Sequence, residues 1–190
     1  MKIKLIPFLT YAFSLFLVIW YLTALYWVAH PKVSDMYRFY YIEQMMYDWP
    51  GEKGLQIPLN QKLYFGTTRE KGEQIYHRDK HWSKAKEEFA VSSASRAGIY
   101  FKLNEEDVAT PFILSFHGAS EKNASKMQIY LNGKPQETVH LDTDIATHSI
   151  ALSNDFYEDP NKTNHLEFQL DEEQMLVMDW LQMDNVRDVE

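Results

Sequence analysis

Leu5 to Ala29 is a stretch of 25 residues without a single charge, and any fold of this chain has to find it an apolar home. As a helix rising ~1.5 Å per residue the run is about 37 Å long, enough to cross ~30 Å of hydrocarbon with some tilt. A secretory signal has a shorter apolar core, roughly 7–15 residues, and small side chains before its cleavage site. Here Trp27 stands two residues before a cut after Ala29. Trp20, Tyr21, Tyr26 and Trp27 crowd one end, where amphipathic rings favour a membrane interface. Pro7 falls in the first turn, where a missing N–H costs little. The run reads as an uncleaved anchor. Lys2 and Lys4 precede it with no acidic residue beside them, whereas Lys32 and Arg38 follow it. A short basic N-terminus stays in the cytoplasm. The expectation is a single-pass protein of the inner or plasma membrane, N-terminus inside, with residues 30–190 outside.

With Lys2 and Lys4 set aside, 17 basic residues remain against 27 acidic ones, a net charge of −10. Such a surface repels nucleic acid and anionic headgroups. The chain has no cysteine, so an exported domain must be held by its core alone, for which the residues beyond 55 suffice.

"HPKVSDMYRFYYIEQMMYDWPGEKG" follows the anchor. Pro31 breaks the first helix, Ser34 or Asp35 can cap a second, and Pro50-Gly51 stops it. Met36, Phe39, Tyr40, Met46 and Trp49 lie near helical spacing, and Tyr37, Tyr41, Ile42, Met45 and Tyr47 widen the apolar surface to most of the circumference. A helix so apolar needs cover: its own domain, the headgroup region or a membrane partner. For the last of these, Phe39, Tyr40, Met46 and Trp49 are the docking candidates.

From Leu55 short apolar runs alternate with turn residues, which predicts an all-β domain. The runs are LYFG (63–66), GEQIYH (72–77), GIYFKL (98–103), PFILSFHG (111–118), KMQIYLNGKPQETVHL (126–141), HSIALS (148–153), NHLEFQL (164–170) and MLVMDWLQM (175–183). Asn132-Gly133 is a strong two-residue hairpin signal. Strands this short and this closely spaced predict two antiparallel sheets in a jelly-roll-like β-sandwich. The expected division is 1–30 for the N-terminus and anchor, 31–54 for a short aromatic linker helix, and 55–190 for the sandwich.

The order Trp82-x4-Glu87, GIYFKL, PFILSF, QIYLNGK, HSIALS, HLEFQL and WLQM resembles the carbohydrate-binding-module-like sandwich domains of bacterial envelope proteins. The C-terminal domains of membrane-bound phosphoglycerol and glycosyl transferases are examples. The likeness covers roughly residues 60 to 185. It implies a glycan-facing sandwich and transfers no catalytic residue.

The chemistry-bearing residues read mostly as surface. Asp142-Thr-Asp144 is a DxD, but no glycine-rich strand–turn–helix accompanies it as a nucleotide-sugar transferase would need. Hard carboxylate oxygens would suit a structural calcium ion instead; otherwise the pair is a polar loop. His77 and His81 stand four apart in a loop-like segment, and no HExxH or cysteine completes a zinc set. Ser115, Ser120 and the SSAS serines lack a GxSxG setting. Glu87 and Asp142 pair no more notably than any two of 27 acidic residues. Asn123-Ala-Ser and Asn161-Lys-Thr fit the glycosylation pattern. No catalytic motif stands out, and the reading is non-catalytic. Sugar rings present flat C–H faces that stack on aromatic planes, so Trp82, Tyr64, Tyr76, Tyr100 and Tyr157 are the glycan-binding candidates, unless they fill the core. The sequence leaves an accessory envelope protein that binds glycan, or a small subunit docking on a membrane-embedded enzyme or transporter through 34–49. Its expected partners are the bilayer and one of those two, with no nucleic acid.

Overall fold

The computed structural model describes residues 5–46, 48–49, 54–66, 77–83, 88–104, 107, 111–153, 155–156, 159, 162–171 and 173–185. The chain divides into two units, Met1–Ser34 and Asp35–Glu190. The first is one helix, α1 (Leu5–Ala29), whose span from Phe8 is long and apolar enough to cross a membrane by length and composition. Its side chains from Phe8 onward are exposed. Large apolar residues on every side are what a helix made for an apolar solvent shows.

The second unit is two antiparallel sheets. Sheet I orders its strands β1 (Lys62–Tyr64), β9 (Leu176–Asn185), β4 (Phe112–Ser120), β7 (Ala146–Leu152), with β2 (Ala90–Val91) also on β9. Sheet II runs β3 (Arg96–Phe101), β8 (Asn164–Leu170), β5 (Ser125–Leu131), β6 (Lys134–Leu141). Alternate residues of both sheets fill one core. Phe112, Leu114 and Phe116 come from β4, Met127, Ile129 and Leu131 from β5, and Leu166 and Phe168 from β8. The predicted sandwich is therefore observed. Asn132 and Gly133 both have positive φ, 53° and 79°, and Leu131 pairs with Lys134 across them. This is the two-residue turn whose twist matches the flanking strands.

The aromatic segment after the anchor is less regular than its spacing predicts. Asp35–Tyr37 (α2) forms one helical turn, Arg38–Ile42 widens into a π-helical turn, and the chain then leaves helix altogether. Met36, Phe39, Tyr40, Met45 and Met46 turn toward Leu55 and Tyr100 in a second apolar cluster. Met46 pairs with Asp79, and Lys80 donates its N–H to the Met45 carbonyl at 2.8 Å. Asp35 accepts from Thr163 Oγ1 at 3.0 Å and lies 3.2 Å from Lys102 Nζ. The segment thus belongs to the second unit, and tertiary pairing has overridden its helical periodicity.

Candidate functional site

The outer face of sheet I owes its chemistry to one extra residue. Along β4, Phe112, Leu114, Phe116 and Gly118 keep an unbroken inward alternation. Along β9, Leu176 and Met178 point inward, and so do Leu181 and Met183. Strict alternation cannot join those two pairs. The register jumps between His117, opposite Trp180, and Gly118, opposite Met178, so Asp179 is a β-bulge. Its carbonyl accepts the Phe65 N–H at 2.8 Å. A Cβ on Gly118 would come within 2.7 Å of the Val177 carbonyl oxygen, so glycine is what lets the bulged strands approach. The consequence is a change of phase. Trp180, which would otherwise follow Met178 into the core, faces outward.

Cross-strand pairing then sets side chains in rows. Tyr64, Trp180, His117 and Thr147 form one, running across β1, β9, β4 and β7; Lys62, Gln182, Ser115 and Ser149 form the next. Trp180 and His117 hold nearly parallel rings, 7° apart in plane and 5.8 Å between centroids. Lys62 Nζ sits 3.8 Å from the Trp180 ring centre, a cation–π contact. Ser115 Oγ and Ser149 Oγ are 2.9 Å apart, His117 Nδ1 is 3.1 Å from Thr147 Oγ1, and Gln182 Nε2 donates to Asp184 Oδ1 at 2.6 Å. Half-exposed rings beside hydroxyls, an amide and an ammonium suit a ligand with both C–H faces and many hydroxyls. Rings supply area, and the small polar groups supply direction.

The outer face of sheet II carries comparable residues in a different condition. Residues 77–82 run along β3: Asp79 N–H donates to the Gly98 carbonyl at 3.0 Å and Trp82 Nε1 to the same oxygen at 2.8 Å. Phe39, Tyr100 and His165 make a stack of three rings with successive centroids 4.7 and 4.4 Å apart. The Tyr100 hydroxyl donates to Met45 Sδ at 3.3 Å. Burial, with Asp79 nearby, raises its pKa well above the ordinary tyrosine value. His77 lies inside, its Nδ1 2.8 Å from the Tyr100 carbonyl. Burial lowers its pKa to about 4, so it is neutral at pH 7. Asp79 accepts from His81 at both oxygens, 2.9 and 3.2 Å, with His165 Nε2 at 3.8 Å.

Several sequence-based candidates change role here. Trp82, expected at a glycan surface, is 1% exposed and tilted against Phe65 at 4.8 Å, because its indole N–H finds the Gly98 carbonyl only inside. Tyr100 does face outward from β3 but is roofed by Phe39 and His165. Tyr64 alone of that set joins an open row; Tyr76 and Tyr157 lie outside the described residues. Of the docking candidates, Met46 is buried and Phe39 and Tyr40 are half-buried in their own domain, which leaves Trp49 exposed. Asp142 and Asp144 are exposed between β6 and β7, where the Asp142 carbonyl accepts from Ser120 N–H at 2.9 Å. Among the described residues no three His, Asp or Glu side chains gather into a metal-holding group. Glu87 lies outside the described residues. Sequence reasoning missed Trp180. The signal was present in MLVMDWLQM, where Met178 and Leu181 stand three apart and neither sheet phase accommodates both.

No protein-family model matches the chain, and no curated protein matches it in sequence. Similar solved structures are carbohydrate-binding modules among others. A CBM36 module of a multidomain xylanase, from the hindgut metagenome of the termite Trinervitermes trinervoides, is 10% identical over 50% of this chain and 75% of that one, with a TM-score of 0.36. A CBM36 module in complex with calcium and xylotriose is 13% identical over 50% and 78%, with a TM-score of 0.35. The insecticidal toxin Cry8Ea1 of Bacillus thuringiensis is 7% identical over 52% of this chain and 19% of that one, with a TM-score of 0.40. At these scores the likeness says nothing of a ligand.

Proposed function

We infer that this chain is a membrane-anchored, non-catalytic accessory protein of the cell envelope, and that its sandwich binds glycan on the outer face of sheet I. The observation that carries the reading is the row Tyr64–Trp180–His117, held half-exposed by the Asp179 bulge and bordered by Lys62, Gln182, Ser115 and Ser149. A core position would have spent Trp180 on stability; the bulge spends it on the surface. The apolar helix Phe8–Ala29 supports the anchor, and Lys2 and Lys4 support an N-terminus in the cytoplasm.

Two experiments test it. Full-length protein in nanodiscs is titrated calorimetrically with soluble xylo-, cello- and chito-oligosaccharides. Binding of at least one series is expected, with a tenfold or greater loss in Trp180→Ala, since a stacked ring contributes ~0.5–1.5 kcal/mol beyond its buried area. No heat with any series, or affinity indifferent to Trp180→Ala, would sink the glycan reading. Topology is read by translation with microsomes, using Asn123, exposed in the turn before β5, as a native reporter. Glycosylation abolished by Asn123→Gln places the sandwich outside the cytoplasm. An unmodified chain, protected from added protease only at its N-terminus, would reverse the orientation.

A further inference from the structure

The segment after the anchor has two sides. One side is fixed to the sandwich by Met36, Phe39, Met45 and Met46. The other leaves Tyr37 and Trp49 each 43% exposed, Ile42 50% and Tyr41 56%. These rings form one continuous cluster: Tyr37 on Tyr41 at 4.8 Å, Tyr40 on Tyr41 at 4.8 Å, and Trp49 on both Tyr40 and Tyr41 at 5.6 Å. Two exposed tyrosines, a tryptophan and an isoleucine pooled on one small surface cost free energy in water, and isolated exposed apolar residues do not look like this.

Five residues, His30–Ser34, connect the end of α1 to this segment. Fully extended, such a connection spans only about 20 Å. The chemistry of the cluster narrows its occupant. Tyrosine and tryptophan have an apolar body and a polar tip, and they concentrate at the boundary between hydrocarbon and water. Positive charge does not supply the attachment, because the segment sets one cation, Arg38, against three carboxylates, Asp35, Glu43 and Asp48. We propose that Tyr37, Tyr41, Ile42 and Trp49 sit in the headgroup region of the bilayer and seat the sandwich on it. The attachment is aromatic rather than ionic, so it operates on uncharged lipid. It rests on the reading of Phe8–Ala29 as a membrane span.

The chain has no cysteine, so single labels are simple to place. Ile42→Cys, Glu137→Cys on the exposed part of β6, and Leu15→Cys in α1 each carry a nitroxide in the full-length chain. The proteins are reconstituted in vesicles of pure phosphatidylcholine, and spin relaxation by oxygen is compared with relaxation by a water-soluble nickel chelate. Position 42 should be at least threefold less accessible to nickel than position 137, and shifted toward the oxygen-rich behaviour of position 15. Equal nickel access at 42 and 137, with position 15 still oxygen-rich, would overturn the proposal while leaving the anchor intact; the patch would then belong to a protein partner. Nickel access at position 15 would instead remove the anchor, and the proposal with it. Tyr41→Ser combined with Trp49→Ser, both at exposed sites, should raise nickel access at position 42 severalfold; no change would show that these rings do not hold it.

Discussion

The two sheets present outer faces of similar composition and opposite fate. Tyr64, Trp180 and His117 on sheet I stay half-exposed among hydroxyls and an amide. Tyr100 on sheet II is sandwiched between Phe39 and His165, and residues 77–82 run along the edge of β3. The difference lies in what the neighbouring chain does, not in the strands. Residues 36–46 and 77–82 complete sheet II, satisfying the free edge of β3, which would otherwise invite pairing with another chain. Nothing described covers sheet I in the same way. An outward-facing aromatic is therefore a stability residue on one sheet and a candidate binding residue on the other.

The sharpest way to break this comparison is to strip the cover from sheet II. Phe39→Ser with Met46→Ser should lower the stability of the sandwich by roughly 2–4 kcal/mol, because a fully buried side chain of this kind contributes ~1.5–3 kcal/mol and the half-buried Phe39 about half of that. Calorimetric melting of the full chain in detergent measures it. An unchanged melting temperature would mean that the segment is not part of the domain's fold.

The two tryptophans should separate next. Trp82→Ala leaves a cavity beside Phe65 and an unpartnered share of the Gly98 carbonyl, at a cost of about 3–5 kcal/mol. Trp180→Ala should cost under about 1 kcal/mol and act instead on glycan affinity. Equal destabilisation by both would erase the distinction between the faces.

Acid probes the covered face through His77. His77 is held neutral, its pKa lowered from the ordinary 6.5 to about 4 by burial. Between those values the unfolded chain binds a proton that the folded one refuses, so stability falls as pH falls. Its contribution is fully present above pH 6.5 and is reduced by about 3 kcal/mol near pH 4. Urea unfolding across that range should show the slope, and His77→Leu should flatten it. A slope unchanged by the substitution would assign the acid sensitivity to other groups.

A smaller change in the backbone sharpens the open face. Gly118→Ala drives a Cβ to 2.7 Å from the Val177 carbonyl and should cost about 1–3 kcal/mol through local repacking of the bulge. The His117–Trp180 stack should loosen with it, which aromatic chemical shifts would report. An undisturbed ring environment would show that the bulge does not depend on this glycine.

Much of the molecule was legible in the chain itself. Twenty-five uncharged residues dictate an apolar helix, because no other element satisfies every backbone group over that length without water. Asn132-Gly133 dictates its hairpin, because both residues tolerate positive φ locally. Alternation in PFILSFHG, KMQIYL and NHLEFQL names the core-facing residues of three strands, since a strand's side-chain period needs no information from elsewhere. What tertiary structure alone decided is where alternation fails and what covers an outward face. The bulge at Asp179 exists because Gly118 and Phe65, distant in sequence, accommodate it. Trp82 and Met46 are buried, and Phe39 half-buried, because they meet groups remote in sequence: the Gly98 carbonyl for Trp82, and Leu55 and Tyr100 for the other two. Local rules fix which residues share a face; only contacts between remote segments determine whether that face meets water.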